Sequence, residues 1–275
     1  MAQLIQMRQR IKAVETTKKI TQAMRLISMS MHSRLRHKKA HLLAYKNAFY
    51  DLRAKIKYIQ TAEIPKTEDT HLVILVSSQK GLCGTFNTQL FKFFDLHLAQ
   101  FTDSYNFISV GRYATDHLKS HSLPLVASYN TFSANHFVAI ANGITEIIMA
   151  AKSPYTSITV YSNYPKTFFV QKPQKIDLLT IEQKAHVPAT KDLSQEYIIE
   201  DSPEYLDSLI QRLTLSISLQ DLLFESLLSE QAARFLSMDS ATRNAEKLIV
   251  DMKLEYNKTR QAAITRELTE LGSSF

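Results

Sequence analysis

ITQAMRLISMSMHSRLRHKKAHLLAYKNAFYDLRAKIKYI, residues 20–59, carries Ile20, Met24, Ile27, Met31, Leu35, Leu42, Tyr45, Phe49, Leu52, Ile56 and Ile59 at steps of three or four, apart from one step of seven. That spacing puts an apolar stripe on one face of a single helix. No proline or glycine interrupts residues 1–64. Roughly 60 helical residues would reach about 90 Å, longer than an ordinary globular domain holds.

The C-terminal part repeats the pattern through Leu209, Leu213, Ile217, Phe224, Leu227, Phe235, Met238, Ala245, Ile249, Met252 and Tyr256. Asp201-Ser202-Pro203-Glu204 supplies a start signal, a capping residue followed by proline and an acid. Each stripe is narrow, and small or polar residues stand at several seam positions (Thr21, Ser28, Gln220, Gln231, Thr242, Thr259). Burying the two stripes against each other as a coiled coil is the economical solution. If a compact middle brings residues near 60 and 205 together, the pair is antiparallel.

The middle reads as alternating α/β. Strands are expected over His71–Ser77, Tyr105–Val110, Ser157–Tyr161 and Thr167–Gln171, with amphipathic segments near 86–100, 112–121 and 133–152. That order implies a largely parallel, Rossmann-like sheet. The expected organisation is a discontinuous coiled-coil shaft over 1–62 and 203–275, an α/β base domain over 70–181 and a polar connection over 182–202.

Composition agrees: 45% of residues are apolar and 21% charged, and only 5 glycines and 7 prolines are present among 275 residues. One cysteine excludes an intramolecular disulfide framework and fits a reducing compartment. The weakly polar stretch VAIANGITEIIMAA, 138–151, is too short to span a bilayer. The N-terminal MAQLIQMRQRIKAVE lacks an apolar signal core, which favours a bacterial cytoplasmic chain. Net charge is +7, but residues 1–60 carry 14 Lys and Arg against Glu15 and Asp51. So concentrated a positive charge implies an acidic partner: nucleic acid, an anionic membrane surface or an acidic protein surface.

LVILVSSQKGLCGTFN, 72–87, has the strand-loop-helix context of a phosphate cradle. Its residues fit badly. A P-loop ends in Gly-Lys-Ser/Thr, whereas Thr85 follows Gly84, and a dinucleotide fingerprint needs three spaced glycines where only Gly81 and Gly84 stand. Cys83 has no histidine nearby in sequence and reads as a packed thiol rather than a nucleophile. His117 and His121, like His37 and His41, have helical i, i+4 spacing, the geometry of metal ligands. The second pair is crowded by Arg36, Lys38 and Lys39, and the first lacks an obvious third ligand, so both read as surface histidines. The basic run 34–39 suits phosphate tracking, a solvated face or docking on acidic protein. A basic coiled-coil nucleic-acid-binding or structural protein, and an enzyme using the middle domain, are therefore alternatives at this level.

The chain ends are more specific. SEQAARFLSMDSATRNAEKLIVDMKLEYNKTRQAAITRELTEL, 229–271, resembles the C-terminal signature of the gamma subunit of F-type ATP synthases, and IKAVETTKKITQAM, 11–24, resembles its N-terminal signature. SSQKGLCGTFN, 77–87, is similar to the family's first strand-helix turn, making Gly81, Cys83 and Gly84 a structural loop. The resemblance implies a central rotor without a catalytic site, cofactor or metal of its own, coupling ion flow to ATP synthesis or hydrolysis by rotation. Implied partners are the alpha and beta ring, epsilon and the ring of c subunits, at the cytoplasmic side of the bacterial inner membrane. By motif, Met24, Arg234, Gln261, Thr265 and Glu267 match coupling positions, and Lys18 and Lys19 are expected to face acidic segments of beta. Arg25, Thr85, Arg243 and Arg266 depart from the family pattern. The charge added by the three arginines suggests adaptation to divergent partners, and the lone Cys83 argues against the paired-cysteine redox switch of chloroplast gamma chains.

Overall fold

The structure, a computed structural model, describes residues 2–55, 70–100, 104–151, 155–178 and 202–272. Helix α1 (Ala2–Lys55) and helix α5 (Pro203–Gly272) are unbroken over 54 and 70 residues. Ser202 caps α5: its Oγ accepts the Tyr205 N–H at 3.3 Å. Pro203 then fills the first helical position, where no N–H is needed. The chain forms two compact units, 1–30 with 234–275, and 31–233. The expected connection over 182–202 lies outside the described residues except for Ser202, and Ile56 and Ile59 lie outside them too.

In the first unit the two helices pair antiparallel. Going up α1, contacts step down α5: Arg8 Nη2 donates to Tyr256 Oη at 2.9 Å, Lys18 Nζ lies 3.0 Å from Glu246, and Arg25 Nη1 lies 2.8 Å from Asp239. Between them the Thr242 hydroxyl donates to Thr21 Oγ1 at 2.9 Å. From Met238 onward, a row of covered α5 positions, 238, 242, 245, 249, 252, 256, 259 and 263, alternates steps of four and three, the period of a coiled-coil seam.

The α1 seam corrects part of the stripe expected from sequence. Ile20, Ile27, Tyr45 and Leu52 of that stripe are more than half exposed, whereas its Leu35 and Phe49, and the expected seam residues Thr21 and Ser28, are buried, spaced by sevens or a multiple of seven. A helix-period stripe drifts off a 3.5-residue seam, and small residues let two helix backbones approach where bulky aliphatics would hold them apart. Flanking that row stands a second one, Ile11, Lys18, Arg25, His32, Lys39, Lys46 and Arg53, all half-buried and all seven residues apart.

The second unit is built on a five-stranded sheet in the order β3-β2-β1-β4-β5. Its strands are β1 (His71–Val76), β2 (Tyr105–Val110), β3 (Leu125–Tyr129), β4 (Ser157–Pro165) and β5 (Gln171–Asp177). All neighbours are parallel except β4 and β5, a hairpin. Helices α2 (Phe86–Asp95) and α3 (Arg112–Ser120) pack through Leu90, Phe94, Ala114 and Leu118 on Val73, Leu75, Phe107 and Tyr161. The opposite sheet face, Leu72, Ile74, Val76, Ile108 and Val160, shares a core with Ile140 and Ile144 of α4 (Phe137–Met149) and with Leu219, Leu223 and Phe224 of α5. β1 is thus buried on both faces, which is why it reads as a continuous apolar run. Over 214–233, α5 is buried on every side except at Asp221, Glu225 and Gln231. A helix covered all round belongs to a domain core.

Two strand assignments change. Leu125–Tyr129 forms an edge strand that was not expected; only alternate residues are covered, and Ala127 and Ser128 give little β signal. Thr167–Val170, expected as a strand, is the hairpin loop, where Thr167 and Val170 exchange backbone hydrogen bonds at 3.1 and 3.3 Å. The strand that follows, QKPQKID, is polar and contains Pro173, a composition tolerated at a sheet edge.

Candidate functional site

The loop after β1 lies at the carboxyl end of the sheet beside β4, where the strand order reverses. Ligands of open α/β sheets bind at such a point. Here the loop's polar groups bond to one another. Asn87 Nδ2 donates to Ser78 Oγ at 2.7 Å and to Cys83 Sγ at 3.6 Å, while Asn87 Oδ1 accepts the Ser78 N–H at 3.2 Å. From β4, Asn163 Nδ2 donates to the Phe86 carbonyl at 3.2 Å. Cys83 and Phe86 are buried against Ala233 of α5. A buried, packed thiol behaves as a small apolar group. Gly84 takes a left-handed φ of 60°, and Gly81 leaves room for the Tyr113 hydroxyl, which would lie 2.6 Å from an added Cβ. Ser77 Oγ accepts the Ala114 N–H at 2.6 Å, tying the same loop to α3.

On the helices, the expected contact residues separate into distinct environments. Lys18 is paired with Glu246 at 3.0 Å, whereas Lys19 is exposed. Met24 is half-buried, with its carbonyl accepting the Ser28 hydroxyl at 2.9 Å. Arg234 is buried, with 7% of its surface exposed. Gln261 and Thr265 are exposed, the Thr265 hydroxyl donating to the Gln261 carbonyl at 3.0 Å. Glu267 lies on α5, and its side chain is outside the described set.

The charge that sequence counts as a free positive surface is partly spent inside the chain. In the second unit Lys39 lies 3.5 Å from Glu225, Lys46 2.5 Å from Asp221, and Arg53 Nη1 donates to Thr214 Oγ1 at 3.3 Å. With Lys18 and Arg25, five members of the seven-spaced row meet α5. Burial works against the Lys46 ammonium, but the hydrogen bond and charge of Asp221 prevail and hold its pKa above the ordinary value. Glu15 is held below its ordinary value, first by the hydrogen bond from Lys253 and then by that residue's charge.

The three arginines that depart from the family pattern are absorbed in the same way. Arg25 and Arg243 both contact Asp239, and Arg266 Nε donates to Glu270 at 2.8 Å. Asp239 was not singled out from sequence, although the seven-residue spacing of Lys18, Arg25, Lys39, Lys46 and Arg53 was there to be found.

Comparison with known proteins gives a consistent identity. A family model described as ATP synthase matches residues 3–275. The ATP synthase gamma chain of Amoebophilus asiaticus is 30% identical over 96% of this chain and 94% of its own length. That of Chlorobium limicola is 31% identical over 98% of this chain and 97% of its own length. Among solved structures, a chain of the Euglena gracilis mitochondrial ATP synthase rotor matches with a TM-score of 0.68 at 15% identity, covering 96% of this chain and 99% of that one. A chain of the Tetrahymena thermophila central stalk and c-ring structure matches with a TM-score of 0.57 at 21% identity, covering 81% and 99%. The chain belongs to the ATP synthase gamma chain family.

Proposed function

We propose that this chain is the central rotor of an F-type ATP synthase, transmitting rotation between an ion-driven c-ring and an alpha and beta ring that carries the catalytic sites. One observation supports the reading most: in the first unit the seam between α1 and α5 is made by Thr21, Ser28, Met238, Thr242, Ala245 and Ile249, while Ile20, Leu26, Ile27, Val250 and Leu254 point outward. A free-standing helix pair gains by burying its largest aliphatics in its own seam. This one leaves Ile20, Leu26, Ile27, Val250 and Leu254 on the outside, which suits a shaft enclosed by other subunits.

The shaft comprises 1–62 and 203–275, the α/β base 70–181, and 182–202 joins them. The base contacts epsilon and the c-ring, and the chain is peripheral to the cytoplasmic face of the bacterial inner membrane. Among the described residues, no helix is long and apolar enough to cross a membrane. Lys19, Met24, Arg234, Gln261, Thr265 and Glu267 contact alpha and beta or support coupling, and Lys18 acts through its pairing with Glu246. Gly81, Cys83 and Gly84 form a structural corner rather than a nucleotide site. Many modest polar contacts suit rotation, because exposed charge pairs contribute only about 0–1 kcal/mol each and exchange readily.

The test is coexpression with alpha and beta from the same genome, followed by native mass spectrometry and ATPase assay of the same sample. One copy with three alpha and three beta, in an active complex, is the expected result. Free chain beside unassembled partners would overturn the reading.

A further inference from the structure

On the α2 and α3 side of the sheet, three metal-ligating side chains from two elements meet. Asp95 ends α2, His117 lies in the last turn of α3, and His121 is the first residue beyond that helix. One ligand atom from each lies within 4.8 Å of the others. Sequence shows the i, i+4 histidine pair but not its third member; the fold brings Asp95 in from 22 residues upstream. We propose that Asp95, His117 and His121 form a binding site for a divalent transition-metal ion of the zinc class, holding the end of α2 to the end of α3.

The chemistry favours that class. Two imidazoles and one carboxylate are the donor set of zinc, nickel and copper, whereas calcium and magnesium take oxygen ligands. His117 Nε2 already lies 2.9 Å from Asp95 Oδ1. Metal–ligand bonds of about 2.0–2.2 Å with tetrahedral angles need ligand atoms about 3.3 Å apart, so the pair opens by only a few tenths of an ångström to admit an ion. In exchange the ion displaces the proton shared between them.

The surroundings preorganise the imidazoles. The His117 ring stacks on Phe91 with centroids 4.2 Å apart and planes 5° from parallel, and its edge meets Phe94. His121 Nδ1 lies 3.0 Å from the His117 carbonyl oxygen. A carbonyl only accepts, so Nδ1 carries the proton and Nε2 keeps the lone pair a metal needs, the arrangement that orients ligating histidines generally. Among the described residues, no lysine or arginine is ion-paired to Asp95. Asp95 and His121 are exposed, so an ion can enter from solvent and the fourth position falls to water. The second i, i+4 pair, His37 and His41, is exposed on α1 and belongs to no such cluster among the described residues, which makes it an internal control.

The inference is independent of the rotor reading and is tested on the full, untagged chain. After stripping with a chelator, Zn²⁺ is titrated by calorimetry, Co²⁺ binding is followed by its visible spectrum, and thermal unfolding is recorded with and without Zn²⁺. The expected result is one Zn²⁺ per chain and a raised unfolding temperature. Asp95→Asn and His121→Ala should each weaken binding about tenfold or more and abolish the thermal shift. The double variant His37→Ala, His41→Ala should leave both unchanged. Asp95→Asn is nearly isosteric and His121 lies outside the core, so the test does not depend on replacing the stacked His117. Absence of stoichiometric binding, or affinity unchanged by Asp95→Asn and His121→Ala, would overturn the proposal.

Discussion

Arg25 Nη1 lies 2.8 Å from Asp239 Oδ1, and Arg243 Nη2 reaches the other oxygen of the same carboxylate at 2.6 Å. One acid on α5 therefore neutralises two arginines that depart from the family pattern, one from each helix. Asp239→Asn should lower stability to urea by about 1–2 kcal/mol, because hydrogen bonds to a charged group are lost and two cations are left facing each other. Arg243→Ala alone, at the exposed end, should cost less than about 0.5 kcal/mol. Equal losses in the two variants would mean that Asp239 is not the shared partner.

Lys18 and Lys19 are adjacent in sequence but differ in what they touch, so reversing their charges separately divides structure from coupling. Lys18→Glu places a carboxylate against Glu246 and should destabilise the helix pair by about 1 kcal/mol. Lys19→Glu should change stability by no more than about 0.5 kcal/mol while altering ATPase coupling and its salt dependence in the assembled complex. Unchanged coupling with Lys19→Glu would remove this residue from the contact surface.

The Lys46–Asp221 pair carries a signature at high pH. A lysine whose pKa is raised by folding contributes stability that is present below the unfolded value, near 10.5, and is lost as pH climbs through the folded value. Denaturation midpoints should fall on the alkaline side in the native chain and fall less in Asp221→Asn. A double-mutant cycle with Lys46→Met should return a coupling of about 1 kcal/mol.

His32 gives the opposite dependence. Burial, then the charge of Arg36, lowers its pKa below the ordinary 6.5, and its ring packs edge-on against Phe168 at 4.9 Å. The folded chain therefore binds fewer protons than the unfolded one just below pH 6.5, so stability falls as the solution is acidified through that range. His32→Leu should flatten this part of the stability profile; an unaltered slope would place the acid sensitivity elsewhere.

Gly111 is the most closely approached of the described glycines. It has φ of 89°, and an added Cβ would sit 2.4 Å from the Ser77 carbonyl oxygen. Gly111→Ala should cost about 2–3 kcal/mol, read as a lowered urea midpoint, because both the conformation and the contact with backbone are unavailable to alanine.

Legible in the amino-acid sequence are the two long helices, their antiparallel pairing, the start of α5 at Ser202-Pro203 and the parallel order of β1, β2 and β4. The helices and strands rest on local information: absence of breakers, a capping residue, or a run such as LVILV that only a strand covered on both faces requires; the pairing follows once a compact middle brings residues near 60 and 205 together. The family is legible too, because 229–271 is long enough to be specific. Tertiary structure decided which of the expected stripe and seam positions of α1 are covered. A seam of period 3.5 selects Thr21 and Ser28 over Ile20 and Ile27 because two helix axes must approach closely, and hydrophobicity counted along one chain does not contain that distance. It also decided that Leu125–Tyr129 pairs at the sheet edge, that Arg25 and Arg243 share Asp239, and that Asp95 completes the His117 and His121 pair. Those are relations between distant segments, fixed by the packing of the whole fold and by no residue's own preference.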